Sequence, residues 1–207
     1  MSALRSRLAS VRRGSRRGQA TLEMALILPV LLLIVLGTLE FGFVMDHKLT
    51  LQYASREAAR VGAALATGGG SPGCNTVDNE IIAAAQRILE SSDSNLVLTN
   101  ITDIRIFRSD LGPGPDGRED IGGDPVNVWH YTPGLGPSVD GVPLDFSVFG
   151  SVGWNACSRI NTGATPDVIG VSVRYTYQSQ TPLAALINLL NIQMADYTTF
   201  ELNPTGS

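Results

Sequence analysis

From Met24 to Met45 the chain is apolar almost without a break, Thr38 and Glu40 being the exceptions. At about 1.5 Å per residue such a run reaches roughly 30 Å, about one hydrocarbon thickness. It predicts a single membrane-spanning helix. Pro29 lies inside the run, where loss of one backbone bond predicts a kink or a local loosening rather than a break, since neighbours in a membrane compensate. Beyond Asp46 the pattern turns amphipathic with no stop signal. Leu51, Ala54, Ala58, Val61 and Leu65 recur at spacings of three and four, one helical stripe. Ala59, Gly62, Ala63 and Ala66 keep the helix thin beside that stripe, so that another element can pack closely. The Gly-rich segment 68–73, GGGSPG, then ends it. One helix over about 22–66 would be on the order of 65 Å long, half in lipid and half packed on an outer domain.

The remainder alternates differently. Val77, Ile81, Ala84, Ala85, Ile88 and Leu89 predict a second amphipathic helix over 75–89, with Asn75 or Thr76 as its N-cap. Strands are expected over 95–108 (Leu96, Leu98, Ile101, Ile104 and Ile106 apolar), over 126–131 (Asn127, Trp129 and Tyr131 on one face), over 168–178 and over 192–202. The clearest is 168–178, where Ile169, Val171, Val173, Tyr175 and Tyr177 alternate with Ser172, Arg174 and Thr176. A short apolar helix over 182–190 has no polar side; it is either a buried cover for the sheet or a patch facing membrane or partner. The fold class expected is α+β: a long N-terminal transmembrane helix continuing into an outer domain with a small antiparallel sheet and packed helices. The domain plan is a basic leader over 1–18, the helix over 19–67, a Gly-rich linker over 68–73 and an extracytoplasmic domain over 74–207.

Charge sets the topology. The 207 residues carry a formal net charge of −4, yet Arg5, Arg7, Arg12, Arg13, Arg16 and Arg17 all precede the first acidic residue, Glu23. A basic tip on an acidic body argues against a nucleic-acid partner, because one short arm would have to neutralise the phosphates. It fits the positive-inside rule, which retains Arg clusters beside a spanning helix in the cytoplasm. The rest of the chain then lies outside the membrane, and Cys74 and Cys157 share that compartment. Two thiols in an oxidising compartment usually pair, and closing such a loop stabilises a domain by on the order of 4 kcal/mol in the chain-entropy model. Two unpaired thiols, or a bond to another chain, are the alternatives. A zinc site would need more ligands than His47 and His130 supply, so no metal is expected.

The start is not a secretory signal: the apolar run is too long and no A-x-A site follows it. Arg16-Arg17 matches a twin-arginine signal only loosely. What separates the readings is Gly18, followed by Gln19, Ala20, Thr21, Leu22 and Glu23. This resembles the type IV prepilin site, Gly then four residues then Glu, cut immediately after the Gly by an integral-membrane prepilin peptidase. The resemblance implies that Gln19 becomes the new N-terminus and Glu23 its fifth residue. Glycine suits a scissile position because a chain without Cβ lies readily in a tight groove. A carboxylate at the edge of hydrocarbon is costly unless a positive partner offsets it, and in pilin-like assemblies that partner is the freed α-amino group, its own or a neighbour's. The alternative reading of Glu23 is a headgroup-level side chain that snorkels.

The likeness extends further. RRGQATLEMALILPVLLLIVLGTLEFGFVMDHKLTLQYASREAARVGA, with Gly37, Glu40 and Gly42 forming Gly-x-x-Glu-x-Gly and with the REAAR of Arg56 to Arg60, resembles the TadE-like pseudopilins of the tight-adherence (Tad, Flp-type) pilus systems. DVIGVSVRYTYQSQTPLAALINLL and IQMADYTTFELNP look like that family's C-terminal end; the likeness is weakest over 109–145. Met24 is a departure, standing where pilin-type sites often carry an aromatic residue. The resemblance implies a minor pilin-like protein of the bacterial inner (plasma) membrane, N-terminus cytoplasmic and outer domain periplasmic or extracellular. Its implied partners are the inner membrane, the prepilin peptidase, and other pseudopilins and pilus assembly proteins. It implies neither a cofactor nor a small-molecule substrate.

Glu40 has two readings. An acidic residue costs roughly 3 kcal/mol at the centre of a spanning helix and less near its edge, so Glu40 either snorkels where lipid ends or contacts a polar group on a partner's helix, with Gly37 and Gly42 permitting close approach. The segment 109–124 gathers Asp110, Asp116, Glu119, Asp120 and Asp124, but its spacing is not that of an EF-hand and a solvated hairpin loop is expected. His130, on a strand, is expected to be structural. No serine, glycine-rich loop or carboxylate pair falls into a catalytic pattern, so no catalytic residues are assigned. Two rival functions stand: an uncleaved anchor carrying a periplasmic ligand-binding or sensing module, and a membrane-tethered hydrolase.

Overall fold

A computed structural model describes residues 15–65, 73–92, 94–109, 125–161, 165–182 and 191–202, with the backbone alone over 15–17. Among these residues the regular structure comprises two α-helices, α1 (Ser15–Ala64) and α2 (Val77–Leu89), and seven strands: β1 (Ile101–Arg108), β2 (Val126–Tyr131), β3 (Ser138–Val139), β4 (Val142–Pro143), β5 (Phe146–Val148), β6 (Val168–Tyr177) and β7 (Ile192–Glu201). The chain divides into two compact units, residues 1–43 with 179–189, and residues 44–178 with 190–207. The expected α+β class with a long apolar N-terminal helix and a small antiparallel sheet is what the structure has.

In the first unit α1 runs through Pro29 without a break. Its apolar side chains from Leu22 to Phe41 are exposed, except that Leu36 is half-buried. Expected helix 182–190 lies outside the described residues beyond Pro182, as does the acidic segment from Asp110 to Asp124.

The second unit is built on a five-stranded sheet of order β5-β2-β1-β6-β7, every neighbouring pair antiparallel, with a separate β3-β4 hairpin. The alternation of β6 sends Ile169, Val171, Val173, Tyr175 and Tyr177 to one face, all buried. They form one cluster with Leu51, Ala54, Ala58 and Ala59 of α1 and with Ile81, Ile82, Ala85 and Leu89 of α2. Small residues make this possible. A Cβ on Gly62 would fall 2.8 Å from Ile169 and 2.9 Å from Ile81, so α1, α2 and β6 converge where a side chain is missing.

Two local expectations are corrected. The strand expected from residue 95 begins only at Ile101, after a 3-10 turn at Leu98–Asn100. Its apolar residues are spaced 101, 104, 106 because the β1–β6 register shifts between Ile101 and Asp103, a bulge that turns Asp103 away from the core cluster. Finally, Thr76 precedes α2 but does not cap it: its hydroxyl donates to the Gly73 carbonyl at 2.8 Å.

Cys74 and Cys157 are disulfide-bonded, joining the turn before α2 to the turn Ala156–Ser158 across 83 residues. Beside them lies a buried polar cluster. Arg159 pairs with Asp78 at 2.6 Å and lies 4.3 Å over the Trp154 ring. Asn127 donates to Asp78 and to the Trp154 carbonyl, both at 2.7 Å, and accepts from the Trp154 N–H at 2.8 Å. His47 of α1 is buried, its ring stacked on Tyr175 and edge-on to Tyr177, with Nε2 3.0 Å from the Asn95 carbonyl.

On the other face Asp103 accepts from Arg174 at 2.6 Å and from Arg105 at 3.2 Å. Burial pushes its carboxyl up, but hydrogen bonds from Arg174 and then Arg105 more than offset this and hold it below the ordinary carboxylate value. A folded value below the unfolded one means stability that is present at neutral pH and is lost as pH falls through the folded value. Asp103→Asn is therefore expected to lower stability at pH 7 by on the order of 2 kcal/mol and to flatten the acid limb below about pH 5. Denaturant unfolding in detergent across that range checks it, and equal acid slopes for the two proteins would rule it out. Gly62→Leu is expected to cost about 1–3 kcal/mol by overpacking. Gly62→Ala should cost little, because the tips of two isoleucines can shift and alanine favours the helix by about 1 kcal/mol.

Candidate functional site

The residues singled out at the N-terminus lie on the exposed start of α1. Gly18 is one turn into the helix, and a Cβ there would meet nothing within 4 Å. Gln19 and Glu23 are one turn apart on one face, and the Gln19 side-chain amide donates to the Glu23 carboxylate at 3.1 Å. The stretch that follows is long and apolar enough to cross a membrane, and no protein covers its most apolar part. Such a surface in water would be unfavourable at about 25 cal/mol per Å².

Glu40 breaks the pattern of its surroundings. Leu39 and Phe41 are 52% and 62% exposed, whereas Glu40 is 7% exposed. Its carboxylate accepts the backbone N–H of Gln180 at 3.1 Å and of Thr181 at 3.0 Å, all within the first unit. Two successive N–H groups aimed at one carboxylate form a small anion-binding concavity. Its own chain thus supplies two donors to this carboxylate. A snorkelling side chain would be exposed, and this one is not. Gly37 and Gly42 do not share the contact, since a Cβ on either would meet nothing within 4 Å.

Sequence reasoning missed Gln180 and Thr181 because a backbone N–H carries no side-chain signature. The nearest cue is Pro182, which marks a turn or helix start but names no acceptor.

Elsewhere, His130 stacks on Phe149 at 4.2 Å between ring centroids. Among the described residues no group of three His, Cys, Asp or Glu side chains could hold a metal ion. A shallow cavity of about 260 Å³ opens between α2 and the β3–β4 hairpin, lined by Ala83, Gln86, Arg87, Glu90, Val139, Asp140, Val142 and Leu144. Burial, and then the nearby Asp145 charge, push the Glu90 carboxyl above its ordinary value, with Gln86 opposing.

Residues 18–60 match the family model described as TadE-like protein. The match takes in Gly18, Glu23, Glu40 and the REAAR segment, and stops short of the sheet. Comparison with curated proteins and with solved structures gave no match.

If Glu40 holds the 179–182 segment, Glu40→Ala leaves two N–H groups unmade at about 1–3 kcal/mol each. Amide exchange at Gln180 and Thr181, measured in detergent or bilayer, is expected to accelerate at least ten-fold, and less in Glu40→Gln, which keeps one acceptor. Unchanged exchange in the alanine variant would remove the assignment.

Proposed function

We propose that the chain is a minor pilin-like, TadE-like membrane protein, cut after Gly18 by a prepilin peptidase and acting by association in Tad/Flp pilus biogenesis. The observation that carries this reading is the Gly18 to Glu23 spacing at the mouth of an exposed apolar helix, behind six arginines and inside the matched stretch 18–60. In this reading the protein is single-pass in the bacterial inner membrane. Its arginine leader is cytoplasmic and its disulfide-bonded domain lies on the outer side.

The geometry suits the cut. The bond after Gly18 lies about one turn from the start of α1, so a peptidase needs to unwind only a helix end, which frays readily. Glycine lowers that cost by about 1 kcal/mol relative to alanine. Gln19 and Glu23 already share a face, so an amine freed at Gln19 would emerge within one turn of the carboxylate. The offset of a carboxylate in lipid by a nearby cation then has its two parties in place. Nothing in the reaction requires this chain to turn over a substrate; it is proposed as a non-enzymatic assembly element, with other pseudopilins as partners and any motor supplied by another component.

The rival, an uncleaved anchor carrying a ligand-binding module, draws on the cavity between α2 and the β3–β4 hairpin. At that volume the cavity would take only a small ligand.

Mass spectrometry of the N-terminus in the membrane fraction decides between them. The expected chain begins at Gln19, and Gly18→Val is expected to retain the arginines. A wild-type chain that keeps Arg5 to Arg17 on every copy would overturn the processing reading.

A further inference from the structure

The cavity between α2 and the β3–β4 hairpin joins apolar walls to a charged rim. Ala83 and Leu144 are buried in its walls, Val142 lines it from the hairpin, and Arg87, Glu90 and Asp140 bring the charge. Its volume of about 260 Å³ admits a small molecule.

That charge is not balanced. Arg87 donates through Nε to the Ala83 carbonyl at 3.3 Å, and its charge acts on Glu57 of α1. The charge acting on Glu90 is another negative one, that of Asp145, which also reaches Glu90 through a side-chain hydrogen bond. Two carboxyls make such a bond only while one of them keeps its proton. Burial first, and then Asp145, thus set the Glu90 carboxyl above its ordinary value against the opposing Gln86 amide. Burial and the same two acids push the Tyr131 hydroxyl up as well. The fold fixes Asp145 in this position. Its Oδ1 accepts the Gly134 N–H at 2.6 Å, and its own N–H donates to the Gln86 side chain at 2.9 Å. Among the described residues Glu90, Asp140 and Asp145 form no ion pair.

We infer that this cavity binds a small free organic cation, a primary ammonium or guanidinium on a short alkyl stem, held by Glu90 and Asp145 with the stem against Val142 and Leu144. The cation takes the place of the proton that the two carboxyls share, and its N–H groups donate charge-assisted bonds to both. The stem covers apolar surface that otherwise faces water. A metal ion would need a shell of oxygen atoms, and the described residues gather no three His, Cys, Asp or Glu side chains to hold one. A quaternary ammonium is recognised by aromatic faces, and none of the described lining residues is aromatic. An anion would be repelled by the acids at this end of the rim.

Calorimetric titration of the full chain in detergent with n-butylguanidinium tests this. Saturable binding is expected at about 1 mM, with the neutral n-butylurea weaker by about ten-fold or more. Glu90→Gln should weaken the guanidinium by about ten-fold or more and leave the urea unchanged. The pH dependence has a definite sign. A cation favours the ionised carboxylate, so affinity rises as pH rises through the elevated Glu90 value, and Glu90→Gln should lose that rise. Asp145, Asp140, Arg87 and Tyr131 are the other titratable or charged groups around the site, and the variant keeps them all. An intact Cys74–Cys157 bond and unchanged protease resistance confirm that it folds. No saturation, equal binding of the urea, undiminished binding to Glu90→Gln or tighter binding of Ca²⁺ would each overturn the assignment. So would a preference for Nα-acetylarginine methylamide, which would put a partner's side chain in the cavity instead of a free molecule. The readout does not depend on cutting after Gly18, so its failure leaves the processing reading untouched.

Discussion

The absence of a side chain at Gly62 is the constraint from which the second unit follows. Ala54, Ala58, Ala59, Gly62 and Ala63 give α1 a surface so thin that α2 and β6 reach the same point. With larger residues there, the apolar faces of β1, β2 and β6 would need another cover, and apolar area left in water is unfavourable at about 25 cal/mol per Å². Packing at native density tolerates little of this kind of change. The same approach sets Ser55 against Asp196 and Thr198, so the placement of the edge strand is a consequence of how thin the helix is. The disulfide and the Arg159–Asp78 pair then hold the N-terminal end of α2 in register with the loop that precedes β6.

Two carboxylates on one apolar helix meet the same energetic problem in different ways. A carboxylate in lipid is costly near the middle of the span and less so at its ends. Glu40, deeper in the run, is buried and accepts two backbone N–H groups of its own chain. Glu23, at the mouth, has an exposed side-chain amide one turn away. Hydrogen bonds to a charged acceptor are among the stronger ones, about 1.5–3 kcal/mol each, so the Glu40 contact is of the size needed to offset its burial. The neutral amide at Glu23 is weaker. On the proposed reading a freed amine would strengthen it by replacing a dipole with a charge.

Legibility in the sequence tracked the range of the interaction. Helix α2 and strands β2, β6 and β7 were readable to within a residue or two because their periodicity is local: the alternation from Ile169 to Tyr177 is visible without knowing what it packs against. The bulge near Asp103 was not, since it exists only relative to β6. Strands β3, β4 and β5 escaped because two or three residues carry no period. Nothing local marks Asp78 or Arg159, and only the fold brings them together in the interior. For the candidate site, the Gly18 to Glu23 spacing is entirely local and was plain. The partners of Glu40 lie 140 and 141 residues away and are backbone groups that every residue but proline possesses.

That last point bears on why recognition stops where it does. The matched stretch 18–60 holds Glu40 and Ser55, and it holds neither Gln180, Thr181, Asp196 nor Thr198. Each contact is thus written half in the helix and half in the rest of the chain, and the two halves make unequal demands. Ser55 reaches across to the side chains of Asp196 and Thr198, so those positions matter by their identity. Glu40 needs two N–H groups in the right place, which constrains the path of the backbone at 180 and 181 but almost no side chain there, proline excepted. A helix of this kind can specify its own residues tightly, as lipid and a peptidase would require, while leaving the segment it holds free to differ in composition. Physical specificity at Glu40 then resides in the geometry of the turn before Pro182, where a comparison of side chains has little to read.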